Sequence, residues 1–138
     1  MRKLETTRRL LPDNSGAAAV EFAIVSSVFF AFVIGIAYVA IMLYNNASLN
    51  YAVEDAARSV ALNNATTLDQ IKSKVNTYMT SQGLHSATVQ YTTFAINNVP
   101  TGHIAANYIQ TYTIPFVHTF NITYRADAYV PLQSVIQS

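Results

Sequence analysis

The chain has 138 residues, 51% hydrophobic and only 11% charged, so it holds at most one globular domain together with something more apolar. A formal net charge of +1 excludes the broad basic surface that nucleic acid requires. With no cysteine, disulfides and thiolate metal sites are excluded as well.

In chain order, residues 1–16 come first and are basic: Arg2, Lys3, Arg8 and Arg9 outweigh Glu5 and Asp13, a balance of +2, whereas residues 17–138 balance to −1. From Phe22 to Tyr44 there follow 23 residues without a charge. As a helix this run is about 35 Å long, enough to cross a bilayer once. The positive-inside rule then places the basic end in the cytoplasm and the rest on the far side. A removed secretory signal has an apolar core of about 7 to 15 residues, so the length of this run counts against one, and against twin-arginine export through Arg8 and Arg9. Fewer than about 100 residues remain for a folded head, near the size at which a single core is marginal.

One acid, Glu21, opens the apolar run. Its simplest reading is an acid in the first turn of a helix capped by Asp13, Asn14 or Ser15, where the positive end of the macrodipole favours it. That reading leaves the combination unexplained: a short basic leader, Gly16 followed by small residues, and an acid five positions on. The stretch "RRLLPDNSGAAAVEFAIV" resembles the processing region of type IV prepilins, in particular the TadE-like pseudopilins of Tad/Flp pilus systems. The resemblance extends through "YNNASLNYAVEDAARSVAL", with its Ala56-Ala57-Arg58 element, and covers residues 8–62. It implies cleavage between Gly16 and Ala17 by a prepilin peptidase on the cytoplasmic face, which would make Glu21 the fifth mature residue. Glu21 would then pair with the freed ammonium of a neighbouring subunit, an assembly role and not a catalytic one. The implied partners are the prepilin peptidase, other pilins and pseudopilins, the inner-membrane assembly platform and the lipid bilayer. Two departures stand out. Val25, Ser26, Ser27 and Val28 occupy the region where many TadE-like helices have proline, and Phe22 follows the acid where the small major pilins have tyrosine. A head of this size favours a minor pseudopilin.

The organisation expected is a leader over 1–16, a transmembrane helix over 17–44 and an extracytoplasmic head over 45–138. Past the membrane, Ala47, Tyr51, Val53, Ala56, Ala57, Val60 and Ala61 place apolar residues at helical spacing, which predicts a continuing helix packed against the head. Glu54 and Arg58 are an i, i+4 pair on its wetter flank, and Asn63 and Asn64 end it. A second helix is predicted from Thr67, its cap, to about Gln82, with Leu68, Ile71, Val75 and Met79 as its core stripe and Gly83 as its stop. Strands follow. "SATVQYTTFAI" changes face near Thr92, which predicts a bulge, and "NNVPTGH" reads as a loop. "NYIQTYTI" ends at Pro115, and "NITYRADAYV" sets Ile122, Tyr124, Ala126, Ala128 and Val130 on one side. The fold class is therefore α+β: a long amino-terminal helix, a second helix and an antiparallel sheet of about three strands, a pilin-like arrangement.

His85, His103 and His118 read as solvated residues in or beside loops, with no carboxylate at metal-ligand spacing. Arg125 and Asp127 share a strand face as a surface pair. No phosphate loop or nucleophile elbow occurs, so no enzyme and no cofactor is expected. The nine tyrosines read as strand formers before a recognition surface. Asn46-Ala-Ser48, Asn64-Ala-Thr66 and Asn121-Ile-Thr123 read as chance matches to a glycosylation acceptor. The rival reading is a single-pass envelope protein whose head binds a partner without entering a filament. A third, an exported enzyme freed by signal peptidase, requires a head soluble without detergent.

Overall fold

A computed structural model describes residues 15–63, 67–114 and 118–132. The element order is α1 (Ser15–Ala61), α2 (Leu68–Ser81), β1 (Thr88–Ile96), β2 (Val99–Ile114) and β3 (His118–Pro131). This is the α+β architecture expected: a long apolar amino-terminal helix, a second helix and a three-stranded antiparallel sheet in the order β1-β2-β3. The chain divides into two compact units, Met1–Ala40 and Ile41–Ser138. Residues 1–14 of the expected leader, with the candidate caps Asp13 and Asn14, the acceptor motif at Asn64, and Pro115 lie outside the described residues.

In the second unit the core lies between the carboxy-terminal part of α1, α2 and one face of the sheet. The buried stripe of α1 is Leu49, Ala52, Val53, Ala56 and Val60, completed by Asn45, Ser48 and Ser59. These positions follow an i, i+3, i+4 rhythm that apolar residues alone do not reveal, because three polar residues occupy the inward face. Ala47 and Tyr51, expected on that face, are exposed. Tyr51 instead lies against Tyr78 of α2, with ring centroids 4.8 Å apart. The ion pair of this stretch is Asp55 with Lys74 of α2 at 3.3 Å, in place of the expected Glu54–Arg58 pair. Lys74 also donates to the Ser59 hydroxyl. The helix ends as expected at Asn63, whose φ of 55° is left-handed and whose amide donates to the Val60 carbonyl.

α2 has its expected signals at both ends. The Thr67 hydroxyl accepts from the Gln70 amide while the Gln70 side chain accepts from the Thr67 amide, a reciprocal capping box. At the other end Gly83 (φ 74°) and Leu84 donate to the carbonyls of Thr80 and Met79, so the last turn closes through a left-handed residue. Ile71, Val75 and Met79 are fully buried, whereas Leu68 in the first turn is 38% exposed.

The sheet is longer and more regular than its sequence predicts. β1 pairs with β2 without interruption from Thr88↔Asn107 to Ile96↔Val99, so the expected bulge near Thr92 is absent. Phe94 and Ile96 change the apparent face because the outer half of β1 extends past the core and exposes both. The expected loop at 97–103 is a two-residue turn: Asn97 and Asn98 have φ of 49° and 64°, the left-handed pair that a tight hairpin needs. Pro100 fits in β2 at the end of its ladder with β3, where its carbonyl accepts from the Leu132 amide at 2.7 Å. Gly102 leaves room for the Tyr91 ring, which lies where a Cβ would otherwise stand.

As expected, Tyr108, Tyr112, Tyr124, Ala126 and Val130 face the core. Their hydroxyls are paired there. The Asn45 amide donates to the Tyr112 hydroxyl at 2.7 Å, and that hydroxyl shares a hydrogen bond with Tyr124 at 2.8 Å. Tyr108 pairs with Gln110. Burial raises the ionisation of Tyr108 and of Tyr124 above the usual tyrosine range, and for Tyr124 the hydrogen bond to Tyr112 adds to the effect. A phenol whose folded pKa is raised keeps its proton where the unfolded chain has lost it. This contribution to stability is full below the unfolded value of about 10 and is lost as pH rises above it. Thermal melts in detergent should therefore lose stability from about pH 10 upward, with Tyr124→Phe showing a shallower loss.

Candidate functional site

Gly16, Ala17 and Glu21 all lie on α1, in the first unit. Within the described residues α1 runs from Ser15, so the Gly16–Ala17 peptide bond is part of its helical backbone. Ala17 and Glu21 are four apart and therefore on one face, about 6 Å apart along the axis. Glu21 itself lies beyond the first turn, which contains no acid. The macrodipole acts mainly within that first turn, so it does not account for the carboxylate there. Glu21 is exposed and makes no ion pair among the described residues.

The helix that follows is long and apolar enough to cross a membrane, and that apolar stretch is not buried within the protein. Phe22, Ile24, Val25, Phe29, Phe30 and Phe32 are each at least 60% exposed. An exposed apolar helix of this length fits a single-pass membrane protein. Ser27 turns its hydroxyl back to the Ile24 carbonyl at 2.7 Å, so that hydroxyl is satisfied within the helix. Ala31, Gly35 and Val39 leave a shallow concave strip flanked by Phe32 and Ile36. Ala19, Ala23, Ser27, Ala31 and Gly35 recur every four residues, a small-residue pattern that lets helices approach closely in membranes and that was not among the expectations from sequence.

In the second unit the histidines divide. His85 and His118 are exposed, whereas His103 is not a loop residue: it lies within β2 opposite Tyr129. Its ring stacks on Tyr129 with centroids 4.5 Å apart, and its Nε2 is 2.9 Å from the Asp127 carboxylate. Asp127 is thus engaged by His103, and the expected Arg125 pair does not form. Register, invisible to local spacing, brings His103 and Asp127 together across two strands. Among the described residues no three His, Cys, Asp or Glu side chains gather as a metal site would require.

No curated protein and no solved structure matches the chain at a significant level. Residues 16–58 match the family model of TadE-like proteins. That span opens on the Gly16–Ala17 bond, includes Glu21 and the whole apolar run, and closes on Arg58 of the Ala56-Ala57-Arg58 element. Over this span, less than half of its length, the chain is similar to TadE-like proteins.

Proposed function

We propose that this protein is a minor pseudopilin of a Tad/Flp type IV pilus, acting in pilus biogenesis and adhesion. Residues 1–16 are a cytoplasmic leader, 17–44 cross the inner membrane once, and 45–138 form a periplasmic head that enters or primes the extracellular filament. A prepilin peptidase removes the leader between Gly16 and Ala17. The partners are that peptidase, other pilins and the inner-membrane assembly platform.

The observation that carries this reading is the lone carboxylate of Glu21, on the Ala17 face of an exposed apolar helix and beyond the turn where the helix dipole would explain it. Cleavage supplies what the carboxylate lacks. A new ammonium at Ala17 is a second charge at the membrane boundary, and each charge is costly there alone. Paired between neighbouring subunits they offset one another, and closely packed helices become tolerable. The small-residue strip through Ala31 and Gly35 supports the same packing.

Mass spectrometry of the protein from its native membrane tests the first step. The mature chain should begin at Ala17, and a Gly16→Val variant, whose branched side chain obstructs the scissile bond, should accumulate with its leader attached. A wild-type chain still beginning at Met1 would refute the processing scheme and favour the single-pass envelope protein.

A further inference from the structure

Among the described residues the outer edge of β3 has no strand against it: β3 pairs with β2, and β2 lies between β1 and β3. The backbone groups of that edge can be assigned by parity. Leu132 donates to the carbonyl of Pro100, so even-numbered residues of β3 direct their amides and carbonyls toward β2. Odd-numbered residues, including Asn121, Thr123, Arg125, Asp127 and Tyr129, direct theirs outward. Their side chains stand on the sheet face away from the core, where Arg125 and Asp127 are both exposed. From His118 to Val130 no proline blocks the edge, and no charge points inward. Natural proteins blunt an edge by such devices and by charged side chains; here Pro131 stands only at the end of the strand, and the outward charges, Arg125 and Asp127, are opposite in sign.

We propose that this edge pairs antiparallel with the same edge of a second copy, about a two-fold axis through Ala126, joining two three-stranded sheets into one. Charge selects both the occupant and the register. Outward-facing residues must meet outward-facing residues for the ladder to form, which restricts the axis to steps of whole residues. With the axis at Ala126, Arg125 of each copy lies opposite Asp127 of the other, and Thr123 lies opposite Tyr129. Moving the axis to residue 125 sets Arg125 against Arg125, and moving it to 127 sets Asp127 against Asp127. Like charges directly opposite are unfavourable in a sheet, whereas opposite charges are favourable. A segment whose two adjacent outward charges are opposite in sign is complementary to itself. His103 holds one carboxylate oxygen of Asp127, which leaves the other open to an incoming guanidinium. The joined ladder contains roughly ten backbone hydrogen bonds, and Tyr124, Ala126 and Ala128 stay in their own cores throughout.

The test uses the full chain in detergent micelles, and the absence of native cysteine makes crosslinks unambiguous. Thr123→Cys and Tyr129→Cys are prepared as separate variants. Hydrogen-bonded partners are about 5.5 Å apart at Cα, within disulfide reach. A mixture of the two should form disulfide dimers about tenfold faster than either alone. Equal rates, as association through the apolar helix would give, or no crosslinking in the mixture, overturn the proposal. So does crosslinking only to a different protein. As an independent arm, Arg125→Asp should weaken self-association about tenfold, and the exchange Arg125→Asp with Asp127→Arg should restore it, folding being verified by circular dichroism. A double exchange that stays folded and monomeric also overturns it.

Discussion

On the proposed charge pairing, replacing Glu21 by Gln should abolish filament formation while leaving membrane insertion and leader removal intact. Glutamine keeps the length and shape of the side chain and removes only the charge, so helix packing around position 21 is unaltered. What changes is the fate of the ammonium at Ala17, which each subunit must then bring into the assembly without a counter-ion. A charge at the centre of a membrane helix costs about 2.5 to 3.5 kcal/mol on insertion scales, and less near the boundary. A loss of about 1.4 kcal/mol at each contact already reduces addition of a subunit about tenfold. Filaments grow by repeated addition, so the deficits accumulate. The measurement is the yield of sheared filaments beside the mass of the membrane-bound chain. Normal piliation with the Gln variant would remove the charge-pairing account even if processing at Gly16 were demonstrated.

The second large effect lies inside the head. Leu49→Ala should destabilise it by about 3 to 5 kcal/mol, since Leu49 is fully buried between α1 and the remainder of its unit. Tyr51→Ala, two residues away and 55% exposed, should cost about 1 kcal/mol through its lost contact with Tyr78. A domain of this size has a total stability near the lower end of about 5 to 15 kcal/mol, so the first change approaches unfolding at body temperature and the second does not. Urea titration in detergent, followed by tyrosine fluorescence because the chain has no tryptophan, separates the two. Similar losses for both would place the inward face of α1 on the wrong side.

That contrast also shows what local pattern could and could not reveal. The limits of α2 were legible because each rests on a short-range hydrogen bond: Thr67 with Gln70, and Gly83 with Thr80. The inner face of β3 was legible because its apolar residues alternate without exception from Ile122 to Val130. The inner face of α1 was not. Asn45, Ser48 and Ser59 occupy core positions, and a search for apolar spacing passes over them toward Ala47 and Tyr51. β2 was half hidden for a related reason. Pro100 and Gly102 look like breakers, yet each has a specific place in the strand, one at a ladder end and one beneath an aromatic ring. His103 was misassigned with them, and its approach to Asp127 depends on strand register. Gly16, Ala17 and Glu21 emerged only through resemblance. The proposed counter-ion, an amine freed by cleavage, would be a product of chemistry and is not written in the chain.

The polar chain from Asn45 through Tyr112 to Tyr124 bears on how the head finds a single arrangement. Alanines and valines on a helix tolerate a small slide or twist, since one methyl contact replaces another at similar free energy. The amide of Asn45 has no such substitute: turned by one residue, about 100°, it would lose the Tyr112 hydroxyl and carry its own donor unpaired into a dry interior. Three groups that add little net cohesion thus work as a key in a lock, admitting one rotation of the helix and rejecting its neighbours.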